Sequence, residues 1–248
     1  MITRHLLNLT LGAMALAVNA IGGPPLLTDD PDTPGPNHWE INLAITSEKS
    51  GDEWKFEAPL LDLNYGVGEH IQLKYEVPLV VVGGKNETVC GGLGNSTVGV
   101  KWRFLDEENA WLDVSTYPQF EFNHGRSSVN RGLAESGRSF LLPFEIAHKF
   151  GRLTAYSELG HFWNQKRPNE WLYGIAAEYE VSDKVSIMAE FHGTAEYRFR
   201  DDELVSNLGS RWKFNEHTSF LISMGRAVRS PGRGDLEFLG YVAVQFIF

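Results

Sequence analysis

The chain is poor in cysteine, and this limits how its fold can be stabilised. It has a single cysteine, Cys90, among 248 residues. One cysteine cannot form an intramolecular disulfide, so a large cooperative structure must hold the chain together instead. Cys90 lies in the segment Val-Cys-Gly-Gly-Leu-Gly and is interpreted as an incidental loop thiol. An intermolecular bridge or a lipid attachment site is the alternative.

Basic residues and nucleotide-binding motifs are also scarce. The sequence has 22 Lys and Arg against 32 Asp and Glu, a net charge of −10, which argues against a nucleic-acid partner. It contains neither a GxxxxGK[ST] phosphate loop nor a Gly-x-Ser-x-Gly nucleophile motif. Beyond the N-terminus, no stretch approaches the ~18 continuous apolar residues of a membrane-spanning helix. We therefore expect no cofactor, no bound metal and no helical anchor.

The first residues have the pattern of an export signal. Arg4 and His5 precede a mostly apolar run, 6–18, and Val18-Asn19-Ala20 ends in the small residue that signal peptidase prefers. Residues 1–20 are therefore predicted to be a cleaved signal peptide, with a buried first helix as the alternative.

Residues 21–37 differ from the rest of the chain because they contain five Pro and three Asp. Proline lacks an N–H and restricts the residue before it, so this segment is predicted to be an extended, periplasmic lead-in. Asp29, Asp30 and Asp32 are interpreted as turn and cap residues. Clustered carboxylates also suit Ca²⁺, although the spacing of a calcium-binding loop is absent.

From residue 38 onward, apolar and polar residues alternate with a period of two. Between His70 and Val77, Ile, Leu, Tyr and Val alternate with His, Gln, Lys and Glu, which places the two sets on opposite faces of a strand. Short connections alternate with longer, polar ones, of which 123–137 is the longest. This is typical of an up-and-down barrel with tight periplasmic turns and longer outer loops. The alternating runs are 38–48, 53–66, 70–81, 94–104, 110–122, 138–149, 152–163, 170–180, 184–195, 204–214, 217–227 and 235–248.

A soluble sandwich also alternates, but three features favour a transmembrane barrel. Many runs have ten or more residues, whereas globular strands usually have about five or six. Aromatic residues cluster near the ends of the runs, as membrane interfaces favour. The last run, with Tyr241, Phe246 and Phe248, resembles the signal by which outer-membrane barrels are recognised for assembly. Residues 38–248 are thus predicted to form an all-β, closed, up-and-down antiparallel transmembrane β-barrel of about 12 strands, with the first strand paired to the last.

The polar face of these runs is predicted to line the lumen. A barrel of this size lies near the border between a filled interior and a water-lined pore. We favour a narrow channel for small solutes whose charges select what passes. A structural network of paired charges that plugs the lumen is the alternative. The candidate lumen residues are Glu40, Gln72, Lys74, Glu76, Lys101, Arg103, Asp113, Glu121, Glu145, Glu158, Glu178, Glu190, His192, Arg211, Lys213 and Gln245.

Two stretches resemble a known family. The segment 25–35, followed by Trp-Glu-Ile-Asn at 39–42, resembles the opening of the MetA-pathway of phenol degradation family, which consists of predicted outer-membrane transporter barrels. Residues 92–104 resemble the glycine-rich strand of that family, with Asn95 in place of an expected Asp. The resemblance extends over about 24–248. It implies location in the outer membrane of a Gram-negative cell and passive passage of small aromatic or hydrophobic compounds, and it implies no catalytic residues.

An outer-membrane lipid hydrolase is the rival function. It needs a Ser or Thr nucleophile beside a His base. The candidates are His124 with Ser127 or Ser128, and His161. Because polar residues are expected in an outer loop in any case, we favour a barrel that is not an enzyme. Its expected partners are outer-membrane lipid, a small-molecule solute and the barrel-assembly machinery.

Overall fold

The computed structural model describes residues 23–84, 88–197, 202–230 and 236–248. The predicted signal peptide lies outside the described residues. Fourteen strand segments and one short helix are present in the described ranges. The segments are β1 (Trp39–Ser50), β2 (Glu53–Val67), β3 (Ile71–Gly84), β4 (Cys90–Leu93), β5 (Ser96–Leu105), β6 (Asp113–Thr116), β7 (Gln119–Phe122), α1 (Arg126–Asn130), β8 (Arg138–Phe150), β9 (Leu153–Asn164), β10 (Glu170–Ser182), β11 (Val185–Glu196), β12 (Asp202–Lys213), β13 (Thr218–Arg229) and β14 (Leu236–Ile247).

The fourteen segments make twelve barrel strands, because two strands are each interrupted once. The segments β4 and β5 pair in succession with β3, and β6 and β7 both pair with β5 and β8. All neighbours are antiparallel, and β1 pairs with β14, so the sheet closes on itself. The predicted closed barrel of twelve strands is confirmed, including the pairing of its first and last strands. In the described part of the chain, no helix is long and apolar enough to cross a bilayer.

The second interruption has a local cause. Pro118 lies between β6 and β7, and it has no N–H to donate to a neighbouring strand. The backbone there is satisfied differently, since Tyr117 donates its N–H to the carbonyl of Pro143 and Pro118 accepts from Val100. The break turns Tyr117 inward, where its side chain is almost fully buried.

The barrel is apolar outside and polar inside, the reverse of a soluble domain. On β3, Leu73 and Tyr75 are exposed whereas Gln72 is buried, and on β10 Ile175 is exposed whereas Glu178 is buried. This alternation is the one that a spanning strand requires, because lipid covers one face and the lumen lies at the other.

Aromatic side chains mark both rims of the barrel. We call the end at which β1 begins and β14 ends, with the tight connections, the short-turn end, and the other the loop end. The exposed rings at the short-turn end belong to Trp102, Phe104, Phe150, Tyr179, Trp212 and Phe214. Those at the loop end belong to Trp54, Phe120, Phe140 and Trp163, with Phe122 and Trp171 half-buried.

The substitution Ile175→Arg tests the outward face. Ile175 is 61% exposed near the middle of β10, so a charge there must enter the hydrocarbon layer. We expect a loss of about 2–4 kcal/mol in the free energy of unfolding in lipid vesicles. Val89→Arg is the control, because Val89 is exposed in a loop outside the strands. Equal losses for the two variants would show that the outer face is not embedded in lipid.

Candidate functional site

Residues 23–37, here called the N-terminal segment, lie at the short-turn end near Asn37, which bonds Gly66, and reach mid-height inside the barrel at Leu27 to Asp29. The N–H groups of Leu27 and Thr28 donate to Oε1 and Oε2 of Glu190 at 2.8 and 2.7 Å. The N–H of Asp29 donates to Oε2 of Glu158 at 3.1 Å. The segment that the sequence predicts to be a lead-in to the barrel thus binds the middle of the inner wall through its own backbone.

The start of the segment is held on the adjacent strands β12 and β13. The hydroxyl of Ser223 donates to the carbonyl of Pro25 at 2.6 Å, and Arg211 Nη2 donates to the carbonyl of Pro24 at 3.3 Å. Leu26 supplies the apolar contact. It packs in a buried cluster on the inner wall, formed by Ala147, Tyr156, Ala176 and Met188.

Two of the three aspartates of the segment pair with wall cations. Lys101 Nζ lies 2.9 Å from Asp29 Oδ1 and also donates to the carbonyl of Asp30. Arg103 Nη1 lies 2.9 Å from Asp32 Oδ1. Within the described ranges, no group of three or more His, Cys, Asp or Glu side chains is arranged to hold a metal ion. The cluster therefore docks the segment on the wall by ion pairing.

Burial in the lumen changes the acidity of this segment. It raises the pKa of Asp32 to about 6, although the attraction of Arg103 opposes the shift. It also raises the pKa of Asp30, against the attraction of Lys101. Removing a carboxylate from water disfavours its charged form, so the docked segment takes up protons more readily than a solvated one.

Close approach of the segment requires a glycine in the wall. A Cβ at Gly174 would lie 2.4 Å from Thr28 Oγ1 and 3.1 Å from Thr28 Cβ, far inside normal contact distances. Thr28 is fully buried against this point. Any larger residue at position 174 would push the segment from the wall without altering the strand pairing.

The candidate lumen residues are all buried or half-buried in the structure. Several form ion pairs along the inner wall. Lys74 lies 3.0 Å from Asp62 and 2.9 Å from Glu76, and Arg211 lies 3.4 Å from Glu178. Those with direct contacts to the N-terminal segment are Lys101, Arg103, Glu158, Glu190 and Arg211.

Some inner-wall residues were missed by sequence reasoning. Gln72 Nε2 donates to Asn64 Oδ1 at 2.7 Å and to the Tyr117 hydroxyl at 3.0 Å. Asp62 and Asn64 are buried on β2, where they alternate with the apolar residues of the outer face, so the period of two could have identified them. Tyr117 had no such signal, because it lies in the interruption before Pro118.

The N-terminal segment divides the lumen. A cavity of about 570 Å³ lies at the short-turn end, between the segment and the turn residues Glu69 and Asp106. A second cavity of about 360 Å³ lies on the other side, towards the loop end. A gap of about 30 Å³ lies beside the segment, next to Gln72 and Lys101. A single water needs a cavity of about 10–15 Å³, so this gap is large enough to hold water but not an organic solute.

The loop 123–137 folds over the inner side of the glycine-rich strand. Leu133 is buried there, and a Cβ at Gly92 would lie 3.0 Å from its Cδ1. Arg131 Nη1 donates to the carbonyl of Gly91 at 3.0 Å. Arg131 binds backbone here, because Gly91 and Gly92 have no side chains and let the loop approach the strand closely.

The hydrolase candidates are not arranged as a nucleophile and its base. His124 Nε2 lies 2.7 Å from the hydroxyl of Ser96, rather than beside Ser127 or Ser128. Ser96 is fully buried in β5, where a substrate carbonyl cannot reach it, so this contact anchors the loop. His161 lies between the rings of Trp163 and Trp171, with centroids 4.6 Å away on each side.

The C-terminal residues divide between the two faces of β14. Tyr241 lines the loop-end cavity and packs against a small buried cluster on the inner wall. Phe246 and Phe248 are exposed on the outside. The thiol of Cys90 is free and half-buried at the start of β4.

Comparison with known proteins identifies relatives of the fold only. No family model and no curated protein matches the sequence. The COG4313 outer membrane channel from Pseudomonas putida F1 superposes with a TM-score of 0.71 at 12% identity, over 92% of this chain and 100% of that chain. The KdgM porin superposes at 0.61 with 11% identity, and the NanC porin at 0.59 with 10% identity, each over 84% of this chain and 99% of theirs. These neighbours are outer-membrane channels and porins, not enzymes.

Glu190→Gln tests how the segment is held. In the amide an NH2 donor replaces one of the two oxygens, so it faces one of the N–H groups of Leu27 and Thr28 and cannot accept from it. A hydrogen bond to a charged group contributes about 1.5–3 kcal/mol. We therefore expect hydrogen exchange at these two amides to accelerate about tenfold or more. Glu216→Gln, in an exposed turn, should leave the exchange unchanged. Equal exchange in the wild type and Glu190→Gln would contradict this anchoring.

Proposed function

We propose that this chain is an outer-membrane channel for the passive passage of small solutes, narrowed at mid-height by its N-terminal segment. The observation that carries the proposal is the lumen itself. Cavities of about 570 and 360 Å³ lie on either side of the segment, and charged and polar side chains line both. A lumen that served only to stabilise the barrel would be filled by side chains from the wall.

The way in which the segment is held supports a movable constriction. Residues 23–38 contain no strand, so no backbone ladder joins them to the wall. Their contacts to the wall are hydrogen bonds that involve a side chain, ion pairs, the packing of buried side chains such as Leu26 and Thr28, and a backbone hydrogen bond from Asn37 to Gly66. Releasing the segment would break these contacts and leave every strand pair of the barrel intact.

The charge of the lumen determines whether the channel favours cationic or anionic solutes. Acidic side chains outnumber Lys and Arg in the lining of both cavities. Charges of one sign along a narrow, low-dielectric passage raise the local concentration of the opposite ion. Cationic solutes are therefore favoured over anionic ones. The resemblance to the phenol degradation family adds small aromatic compounds to the candidate solutes.

The proposal also covers how the barrel is exported, embedded in a membrane and assembled. Residues 1–20 direct export and are removed, and the exposed apolar belt contacts the lipid of the Gram-negative outer membrane. Phe246 and Phe248, on the outer face of the last strand, are read by the barrel-assembly machinery. The solute crosses without a cofactor, driven by its own gradient.

A plugged, structural barrel is the second candidate, and one observation favours it. The cavity beside the N-terminal segment measures only about 30 Å³, which holds water but no organic solute. The two candidates differ in whether the segment leaves its place.

Gly174→Val should distinguish them. The added side chain collides with Thr28, so it should displace the segment and raise single-channel conductance in a planar bilayer severalfold. The matched control is Gly91→Val, because a Cβ at Gly91 would meet only ordinary contacts at 3.7 Å. The reversal potential under a salt gradient should show cation preference in both the wild type and Gly174→Val. An absence of current in wild type and Gly174→Val alike would reject the channel in favour of the plugged barrel, and anion preference would reject the argument from wall charge.

A further inference from the structure

The loop-end cavity has the construction of a binding site. Its volume of about 360 Å³ falls at the small end of the range of ligand pockets, about 300–1,000 Å³. The turn Pro24–Leu27 of the N-terminal segment closes it from below. A solute that enters from the loop end therefore reaches this cavity first and stops at the segment.

One side of the cavity is acidic. Glu48, Glu57 and Glu76 line it from β1, β2 and β3. Lys74 is the only Lys or Arg among the described lining residues, and it pairs with both Asp62 and Glu76. Lys55, which does not line the cavity, stands 3.7 Å from Glu57 and 3.9 Å from Glu48. The wall thus keeps an excess of negative charge after its own pairing.

Towards the loop end the opposite side of the cavity is apolar, whereas Glu158 of β9 lies deeper, beside the segment. Leu141, Phe162 and Leu172 line it from β8, β9 and β10, and Leu27 of the segment adds to them from below. In a ring of twelve strands, β8 to β10 face β1 to β3 across the lumen. The cavity therefore offers carboxylates on one wall and hydrocarbon on the other, separated by the width of the lumen.

Two buried polar groups in the lining have unused acceptor capacity. Glu158 is 5% exposed, accepts one backbone N–H from Asp29, and forms no ion pair with any described residue. Asn207 is 1% exposed, and its Oδ1 accepts no hydrogen bond from the described residues. Buried acceptors of this kind are costly unless a donor reaches them. A ligand with N–H donors would supply one.

We propose that the loop-end cavity binds a small organic cation, an ammonium group joined to an aromatic or aliphatic body. The ammonium meets the carboxylates of Glu57 and Glu76, and the hydrocarbon body lies against Phe162 and Leu172. A hydrated inorganic cation gains nothing from contact with the apolar wall, and the acidic wall repels an organic anion. This inference deepens the proposed function by naming a solute class. It rests on that function in one respect, namely that solutes reach the lumen.

Three probes of similar shape and different charge test the inference. They are 2-phenylethylamine, a cation at pH 7, 2-phenylethanol, which is neutral, and phenylacetate, an anion. Binding is measured by calorimetry on the folded barrel in detergent, with heat-modifiable gel mobility as the check of folding. We expect the amine to bind at least about tenfold more tightly than the alcohol, and phenylacetate more weakly than either. Equal affinity for amine and alcohol would overturn the proposal, and this comparison requires no variant.

Substitutions then locate the site. The double change Glu57→Gln and Glu76→Gln should weaken binding of the amine about tenfold or more and leave the alcohol unchanged. Leu172→Ala should weaken both, because it removes apolar contact. The control Glu216→Gln lies in an exposed turn and should change neither. Unchanged amine affinity in the folded double variant would reject this cavity as the site. So would a bound amine that potassium chloride displaces as effectively as further amine does.

Current measurements separate this inference from the channel function. Binding in detergent needs no conduction, so a barrel that binds the amine as expected but passes no current, even as Gly174→Val, refutes only the channel. A barrel that conducts but does not distinguish amine from alcohol refutes only the amine site.

Discussion

The closure of β1 on β14 is the constraint on which the rest of the structure depends. Lipid offers no hydrogen bonds, so every strand of a membrane sheet needs a neighbour on both sides. The pairing of β1 with β14 runs from Glu40 opposite Ile247 to Lys49 opposite Phe238 almost without interruption. It supplies hydrogen-bond partners to the backbone of both edge strands. Once the sheet is closed, half of its side chains face lipid and half face a confined lumen. The apolar outer face and the polar inner face then follow from a single alternation.

The polar interior in turn determines what the N-terminal segment can do. A chain that runs through a barrel without joining its sheet has backbone N–H groups that need acceptors. The inner wall supplies them as carboxylates, with Glu190 accepting from two successive residues and Glu158 from the next. Lys101 and Arg103 balance the acids that the segment brings. Acidic residues of the wall thus serve as backbone acceptors in one place and line the cavities in another.

The sequence predicted the barrel well because its dominant signal is local. Alternation with period two, together with strand length and the spacing of turns, located all twelve barrel strands to within a few residues. The break at Pro118 was not predicted, because one proline in an alternating run indicates a weak point but not the direction of the displaced side chain. The helix α1 in the loop 123–137 is too short to have a periodic signal.

The site was harder to predict, because its main components have no period. The N-terminal segment is rich in proline, and its composition indicates irregular backbone but not the surface on which that backbone lies. Gly174 and Gly92 are similar cases, since a glycine in a strand does not reveal what approaches it. The pairing of His124 with Ser96 joins residues of a loop and a strand, and it depended on a loop conformation that composition cannot give.

The central claim is that the N-terminal segment occupies the lumen and sets its conductance. It is tested most directly by locking that segment to the wall. With Cys90→Ser to remove the native thiol, the pair Thr28→Cys and Gly174→Cys places two Cβ atoms about 3.1 Å apart. This is a few tenths of an ångström below the about 3.5–4.5 Å of a disulfide, so a small shift of the segment away from the wall lets the bond form and then holds the segment there. Single-channel current is then recorded before and after a reductant is added. The account predicts that the pair oxidises readily, that the oxidised barrel passes almost no current, and that reduction opens it. Failure of the cysteines to join, or equal current in the oxidised and reduced states, would contradict it.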